Sequence, residues 1–228
     1  MSKNSPNLID AFFYGIVDTG YVDHSKLAQK CRMLEKAGAK IIQLRAKRQT
    51  ELEREKLAYE LLPIFARKGA PYFIINDDAA LAKKICSEIP NAGLHIGQDD
   101  LSPQEARLLL GDEAIIGLST HSFEQASAAN DMDQILTYFA VGPVYATQTK
   151  PGRPAVGLDL IGKVKALKPK IPWFCIGGIN AKTAAEVRNA GAERIVAVSD
   201  VLKPDDTAAA VGALMDAFWG QEAVIRLN

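Results

Sequence analysis

The chain has 228 residues, of which 48% are hydrophobic and 24% are charged, a composition typical of a globular protein long enough for one α/β barrel. Its 27 Lys and Arg residues balance 27 Asp and Glu residues, so the overall charge does not favour nucleic acid or an anionic membrane as a partner. No apolar run approaches the roughly 20 residues of a membrane-spanning helix, and the three cysteines lack metal-binding or disulfide spacing. We therefore predict a soluble cytoplasmic protein in which any anion is bound by a local cluster.

Eight short apolar runs recur along the chain and are rich in Val, Ile, Leu and Phe. They are nearly continuous rather than alternating with polar residues, which is typical of strands buried on both faces of a parallel sheet. The predicted strands are 11–17, 40–44, 71–76, 92–96, 114–119, 138–142, 172–177 and 194–199.

Helix signals separate most of the predicted strands. Capping boxes at 50–53 and 102–105 predict the starts of two helices, because a hydroxyl and a Glu spaced in this way satisfy the free N–H groups of the first turn. We expect the first of these helices to end near Gly69. Asn180 is predicted to cap a later helix that ends near Asn189.

This alternation of strands and helices favours a single-domain (β/α)8 barrel of the TIM type over residues 11–219, with a flexible N-terminus at 1–10 and a C-terminal tail at 220–228. The alternative is a doubly wound open sheet. No G-x-G-x-x-G motif follows the first strand, which argues against the dinucleotide-binding form of that sheet. In a barrel, we expect the reactive side chains at the ends of the strands.

The second predicted strand carries polar side chains on one face. Gln43, Arg45 and Lys47 are spaced two residues apart, so they point to the same side of an extended chain. An Arg fork and a Lys point charge at a barrel mouth would suit a pyrophosphate. The alternative is a solvated strand end.

Acidic side chains follow the third and fourth strands. Asp77, next to Asn76, and Asp100 stand where neighbouring strands end. Two carboxylates facing an anion site would repel the anion unless a cation stood between them, and Mg²⁺ commonly takes one or two carboxylates together with phosphate oxygens. The alternative is helix capping, which we favour for Asp78 and Asp99.

The later strand ends supply hydroxyls and glycines. Gly177-Gly178 and Val198-Ser199 fall in the loops after the seventh and eighth strands, where barrels of this type commonly bind a phosphate monoester through backbone N–H groups. A simple turn is the alternative for the glycine pair. Ser119 could donate to a phosphate oxygen or cap a helix, and His95 on its buried strand is expected to be a structural histidine rather than a ligand contact.

The segment VGPVYATQTKPG at 141–152 lies between these two regions. Thr147, Thr149 and Lys150 are suited to an anionic oxygen ligand, although the spacing is not that of a P-loop. A barrel with a metal-assisted pyrophosphate site and a monophosphate site would suit the joining of two phosphorylated substrates, or a transfer in which pyrophosphate is the leaving group.

The strand-end motifs match one known family in order. The matching segments are Gln43-Leu44-Arg45-x-Lys47, Ile75-Asn76-Asp77, Gly93-x-His95-x-Gly97-Gln98-x-Asp100, Ser119-x-His121, Gly142-Pro143, Thr147-x-Thr149-Lys150, Ile176-Gly177-Gly178-Ile179 and Val198-Ser199. Over residues 12–217 the chain thereby resembles the thiamine phosphate synthases. The resemblance implies a transferase that joins a hydroxymethylpyrimidine diphosphate to a thiazole phosphate, releasing pyrophosphate by a Mg²⁺-assisted, carbocation-like transfer.

The resemblance also implies a role for each matching residue. The diphosphate would be held by Arg45, Lys47, Asn76, Ser119 and Lys150, and Mg²⁺ by Asp77 and Asp100. The pyrimidine pocket would be lined by Gln43, His95 and Gly97, and the thiazole phosphate would be held by Thr147, Thr149, Gly178, Val198 and Ser199, with Gly177 in the same loop. The expected catalytic residues are Arg45, Lys47, Ser119 and Lys150.

The retained carboxylates and the strand ends argue against three alternatives to a synthase. A thiazole tautomerase would use the same barrel but would not need the two metal carboxylates, and a phosphate-binding barrel of tryptophan biosynthesis would carry a catalytic Lys or Glu in mid-strand. A non-catalytic barrel that binds thiamine precursors could lose either carboxylate. The chain departs from the family in carrying Ala80 and Ala92 where acidic residues are usual, and its sequence leaves a homo-oligomer open.

Overall fold

Eight parallel strands form a closed barrel in the computed structural model, which describes residues 8–147 and 154–220. Each strand pairs with the next in the chain, and the first pairs with the last. The predicted (β/α)8 barrel is therefore confirmed. The strands are β1 (Phe13–Asp18), β2 (Ile41–Arg45), β3 (Tyr72–Asn76), β4 (Ala92–Ile96), β5 (Ile115–Thr120), β6 (Tyr138–Val141), β7 (Trp173–Ile176) and β8 (Ile195–Ala197).

Helices follow the strands and surround the barrel. Within the described ranges they are α1 (Leu27–Lys36), α2 (Glu51–Phe65), α3 (Ala79–Glu88), α4 (Pro103–Leu110), α5 (Phe123–Asn130), α6 (Gly157–Ala166), α7 (Ala184–Asn189), α8 (Ser199–Leu202) and α9 (Thr207–Trp219). None of the helices in these ranges is both long enough and apolar enough to cross a membrane.

Most of the predicted capping residues stand at the starts of helices. Thr50 and Ser102 form the predicted capping boxes of α2 and α4, although α2 ends at Phe65, before the expected Gly69. Asn180 caps the turn that leads into α7, because its Oδ1 accepts from the backbone N–H of Lys182 and its carbonyl oxygen accepts from that of Ala184. The regular helix α7 begins at Ala184 and ends at Asn189, the predicted end.

Side chains alternate between the barrel interior and the layer beneath the helices. The interior packs around one cluster of buried apolar residues, namely Leu8, Ala11, Tyr14, Ile16, Ile41, Ile74, Ile115, Tyr138, Phe174 and Val196. The outward-facing side chains of the strands pack against the helices in a second, larger cluster. Leu8, within the segment 1–10 predicted to be flexible, is therefore part of the packed interior.

Gly117 of β5 makes room for a large ring in this interior. A Cβ atom on Gly117 would lie 2.1 Å from Cζ of Tyr138, a distance that no pair of carbon atoms tolerates without displacement. The ring of Tyr138 occupies the space beside this glycine and stacks on the ring of His95, with 5.6 Å between the ring centroids. A small residue on β5 thus positions an aromatic side chain of β6 beneath the barrel mouth.

Candidate active site at the barrel mouth

Two cavities adjoin at the carboxyl ends of the strands. One has a volume of about 160 Å³ and lies over β2, β3 and β4, and the other has a volume of about 250 Å³ and lies over β6, β7 and β8. Ser119, Ile176 and Val198 line both of them. Two ligands bound in these cavities would therefore approach each other above the barrel axis.

The predicted cationic face of β2 opens into the smaller cavity. Gln43, Arg45 and Lys47 all line it, as the period-two spacing predicts. Arg45 is not a simple solvated strand end, because its Nη1 lies 2.5 Å from Oδ2 of Asp18 and only 14% of its side chain is exposed. The other oxygen of Asp18 accepts a hydrogen bond from the backbone of Gly20 at 2.8 Å.

Asp18 is a site residue that the sequence interpretation missed. It ends β1, and the barrel register places it directly beside Arg45. Its side chain is only 4% exposed, and a buried carboxylate requires a charged or hydrogen-bonded partner. The signal was present in the sequence, since Asp18 follows the first apolar run at a position equivalent to the strand ends that were considered.

The two carboxylates predicted to bind a metal lie together in the same cavity. The carboxyl groups of Asp77 and Asp100 are close enough to share a hydrogen bond, and Nζ of Lys47 lies 2.8 Å from Oδ2 of Asp77. Burial on its own raises the pKa of Asp77, but Lys47, with smaller contributions from Asp100 and His95, leaves this pKa below its ordinary value. Burial, together with the charge of Asp77, raises the pKa of Asp100.

This acidic pair fits a hard divalent cation that also binds a phosphorylated ligand. Two adjacent carboxylates with opposite pKa shifts repel each other when both are ionised, and a cation between them relieves that repulsion. Asp77 has a φ angle of 63°, a conformation that non-glycine residues seldom adopt and that is concentrated at functional sites. In the described part of the chain no group of three or more His, Cys, Asp or Glu side chains could hold a metal, so the remaining ligands would be phosphate oxygens and water.

His95 is both a satisfied buried histidine and a cavity residue. It is 8% exposed and lines the smaller cavity beside Gly97 and Asn76. Its Nδ1 lies 3.0 Å from the hydroxyl of Tyr138, and its Nε2 lies 2.9 Å from the hydroxyl of Ser119. The expected structural histidine therefore also orients a group that faces both cavities.

The larger cavity contains the loops that were predicted to bind a phosphate monoester. It is lined by Thr147, Gly177, Gly178, Val198 and Ser199. Gly177 has a φ angle of 104°, and a Cβ atom there would lie 2.5 Å from Cα of Pro143, so glycine is required for this loop to pack against the segment that follows β6. The glycine pair therefore forms a turn that also lines the cavity.

Several residues of the larger cavity were not singled out from the sequence. Tyr21, Asp200 and Lys203 line it, and Nζ of Lys203 lies 5.4 Å from the ring centroid of Tyr21. Periodicity does not reveal them, because they lie in loops and at a helix end rather than on strands.

Some residues singled out from the sequence lie outside the two cavities or outside the described residues. Thr149 and Lys150 fall in the segment 148–153, outside the described residues. Asp78 caps α3 as predicted, through a hydrogen bond from the backbone of Leu81. The capping interpretation of Asp99 is wrong, because Ser102 caps α4 and Asp99 lines the smaller cavity.

Comparison with known proteins identifies a family. Residues 13–201 match the family model described as thiamine monophosphate synthase. A thiamine-phosphate synthase of Thermobifida fusca is 40% identical over 84% of this chain and 85% of its own length. One from Acidothermus cellulolyticus is 43% identical over 79% of this chain and 84% of its own length.

Solved structures confirm the fold. A thiamine phosphate pyrophosphorylase from Pyrococcus furiosus superposes with a TM-score of 0.70 at 24% identity, covering 92% of this chain and 96% of its own. A geranylgeranylglyceryl phosphate synthase from Thermoplasma acidophilum reaches a TM-score of 0.66 at 15% identity, covering 90% and 92%. Barrels with different activities share this architecture, so the fold alone does not distinguish among them.

Proposed function

The chain belongs to the thiamine monophosphate synthase family, and we propose that it joins its two substrates where the two cavities at the barrel mouth meet. It is a transferase that forms thiamine phosphate from a phosphorylated pyrimidine and a phosphorylated thiazole, with pyrophosphate as the leaving group. The main support for this geometry is that Ser119, Ile176 and Val198 line both cavities. A pyrimidine diphosphate on one side and a thiazole phosphate on the other would meet there with their reactive atoms adjacent.

The smaller cavity is proposed to hold the pyrimidine diphosphate. Arg45, Lys47 and Asn76 line it and would donate to the diphosphate oxygens. As the bond to the pyrimidine breaks, negative charge grows on pyrophosphate, and the two cations stabilise that charge more strongly than they stabilise the ground state. The pyrimidine ring would lie deeper in the cavity, against Gln43 and His95.

Asp77 and Asp100 are the proposed ligands of Mg²⁺. When bound, Mg²⁺ would neutralise the pyrophosphate leaving group. Lys47, which pairs with Asp77 at 2.8 Å, would then turn to the diphosphate because the cation satisfies the carboxylate. The backbone of Gly97 donates to Oδ2 of Asp100 at 2.7 Å and holds this carboxylate in place.

The larger cavity is proposed to hold the thiazole phosphate. Backbone N–H groups near Gly178 and Ser199, together with the hydroxyl of Thr147, would bind the phosphate. Thr149 would act on the same phosphate, and Lys150 would contact the diphosphate. No side chain needs to act as a nucleophile, because the thiazole nitrogen itself captures the electron-poor pyrimidine carbon.

The alternatives are not favoured. The matched relatives bear the name of the synthase over most of their length, and the chain keeps both carboxylates that a tautomerase or a precursor-binding barrel could lose. We also propose a cytoplasmic location, because Cys31, Cys86 and Cys175 are free thiols, as expected in a reducing compartment.

Pyrophosphate release by the purified protein tests the proposal directly. With both phosphorylated precursors and Mg²⁺ present, we expect release of pyrophosphate and formation of thiamine phosphate, and omission of either precursor or of Mg²⁺ should abolish product formation. Lys47→Ala should reduce turnover strongly, whereas Lys56→Ala, which removes an exposed lysine of α2 that pairs with Glu60, should not. A wild-type protein that released no pyrophosphate would overturn the assignment.

A further inference from the structure

Five side chains form a continuous hydrogen-bonded chain through the barrel interior. Nε2 of Gln43 donates to the hydroxyl of Tyr14 at 2.7 Å, and the hydroxyls of Tyr14 and Tyr138 lie 2.9 Å apart. The hydroxyl of Tyr138 lies 3.0 Å from Nδ1 of His95, and Nε2 of His95 lies 2.9 Å from Oγ of Ser119. All five residues are buried.

We infer one direction for the hydrogen bonds from Gln43 to Ser119, because it leaves every buried hydroxyl with an acceptor. An amide nitrogen can only donate, so the hydroxyl of Tyr14 accepts from Gln43. A buried O–H must also find an acceptor, and the hydroxyl of Tyr138, 2.9 Å away, is in position to accept it. Tyr138 then donates to Nδ1 of His95. An Nδ1 that accepts leaves the neutral ring with its proton on Nε2, and this proton is donated to Oγ of Ser119.

Ser119 stands at the open end of the chain. Because its oxygen accepts from His95, its own O–H proton is available to an acceptor in the cavities, both of which it lines. We propose that Tyr14 and Tyr138 are positioning residues that set the tautomer of His95 and thereby orient the hydroxyl of Ser119 as a donor to a phosphate oxygen of the substrate. This role rests on the proposed function and adds to it two residues that do not line either cavity.

The chemistry of the two phenols suits this role. Burial raises the pKa of the Tyr14 and Tyr138 hydroxyls well above their ordinary values, so both keep the protons that the chain requires. Their rings pack edge to face with 5.7 Å between centroids, and both contact Phe174 in the same way. A phenylalanine at either position would fill the same space, so packing alone does not account for the hydroxyls, each of which must be hydrogen-bonded when buried.

The tautomer of His95 tests the proposed relay, the row of hydrogen bonds from Gln43 to Ser119, independently of activity. In full-length protein labelled with ¹⁵N-histidine, long-range ¹H–¹⁵N spectra at neutral pH distinguish a protonated ring nitrogen from an unprotonated one, and the His95→Gln spectrum identifies the His95 signals among those of the three histidines. We expect a protonated Nε2 and an unprotonated Nδ1. A wild-type His95 with its proton on Nδ1, or with both nitrogens protonated, would overturn the proposed direction.

Removal of single hydroxyls tests the role of the tyrosines. In Tyr138→Phe, Nδ1 of His95 loses its donor, so we expect the His95 signals to move towards the other tautomer and kcat to fall about fivefold to tenfold, the equivalent of one hydrogen bond. The KM for the thiazole phosphate should stay within about twofold, because that ligand is bound mainly by other groups. Tyr14→Phe should give a smaller change of the same kind, because Tyr138 can still donate.

Tyr59→Phe is the matched control, since Tyr59 is exposed on α2 and loses its hydroxyl far from the barrel interior. If Tyr138→Phe shows the same His95 signals and the same kcat as Tyr59→Phe, the tyrosines only fill space and the relay is refuted. If Tyr138→Phe fails to fold, the wild-type tautomer and the Tyr14→Phe spectra still decide the matter. A wild-type protein without pyrophosphate release would refute the proposed function, whereas the spectra would report on the relay separately.

Discussion

Replacement of Asp18 by Asn tests the buried ion pair that positions Arg45. The change keeps the size of the side chain, and the amide oxygen can still accept from the backbone of Gly20. The amide nitrogen then faces Nη1 of Arg45, so two donors meet where the ion pair had a contact of 2.5 Å. The guanidinium is left without its counter-charge in a region where its side chain is only 14% exposed.

The exposures of the two partners determine the expected magnitude. Breaking a fully buried ion pair by removing one charge costs about 3–5 kcal/mol. Asp18 is almost fully buried, but Arg45 borders a cavity that solvent can enter. We therefore expect the free energy of unfolding to fall by the smaller value of that range, about 3 kcal/mol. Because Arg45 is also proposed to bind the diphosphate, the same variant should have a raised KM for the pyrimidine diphosphate.

Urea unfolding measured by circular dichroism provides the assay, with the free energy of unfolding extrapolated linearly to water. Glu35→Gln is the matched control, because Glu35 pairs with Arg67 at the surface, where the side chains are 25% and 48% exposed. An exposed pair contributes about 0–1 kcal/mol. If Asp18→Asn costs no more than Glu35→Gln, the reasoning about the buried pair is wrong.

Three further predictions concern the carboxylates and the barrel interior. Asp100→Asn should reduce turnover far more than it weakens binding of the thiazole phosphate in calorimetry, and equal losses would contradict the proposed metal role. Because Lys47 keeps the pKa of folded Asp77 below its ordinary value of 3.8, the ionised pair stabilises the fold at neutral pH, and this contribution is lost as the pH falls below about 3.8. Stability curves of Asp77→Asn should lack that part of the acid loss; an unchanged acid slope would argue against the pair. Gly117→Ala would bring Cβ within 2.1 Å of the ring of Tyr138. The free energy of unfolding measured in urea should therefore fall by about 1–3 kcal/mol. An unchanged free energy of unfolding would show that the interior rearranges to accept the methyl group.

Local patterns in the sequence were sufficient to predict the barrel and most of the site. Gln43, Arg45 and Lys47 share a face because alternation along an extended chain is a property of the strand itself. Asp77 and Asp100 meet because sequential parallel strands in a barrel are neighbours and their carboxyl ends lie on the same rim. The capping boxes at Thr50 and Ser102 were likewise predictable, because each is complete within four residues of chain.

The exact start of a helix was harder to predict, because neighbouring residues can each accept a hydrogen bond from its first turn. Asn180 caps the turn before α7 through its hydrogen bond from Lys182, but the regular helix begins only at Ala184. Asp99 precedes α4, but Ser102 stands closer to the helix and forms the cap. The residue type of Asp99 was compatible with a cap, but the hydroxyl of Ser102 accepts from the backbone of Glu105 in its place.

The sequence by itself determined the alternating strands and helices and the polar strand ends, since each depends on residues near one another in the chain. It favoured a closed barrel over an open sheet, but closure itself pairs Phe13 of β1 with Ile195 of β8. Only the tertiary structure decided which buried polar groups are bonded across the barrel. Tyr14 and Tyr138 are separated by 124 positions in the chain. In the sequence each is one residue of an apolar strand, and only the closed barrel brings their hydroxyls together. Asp18 pairs with Arg45 for the same reason, because the register between β1 and β2 is set by the packing of both strands and not by either one alone.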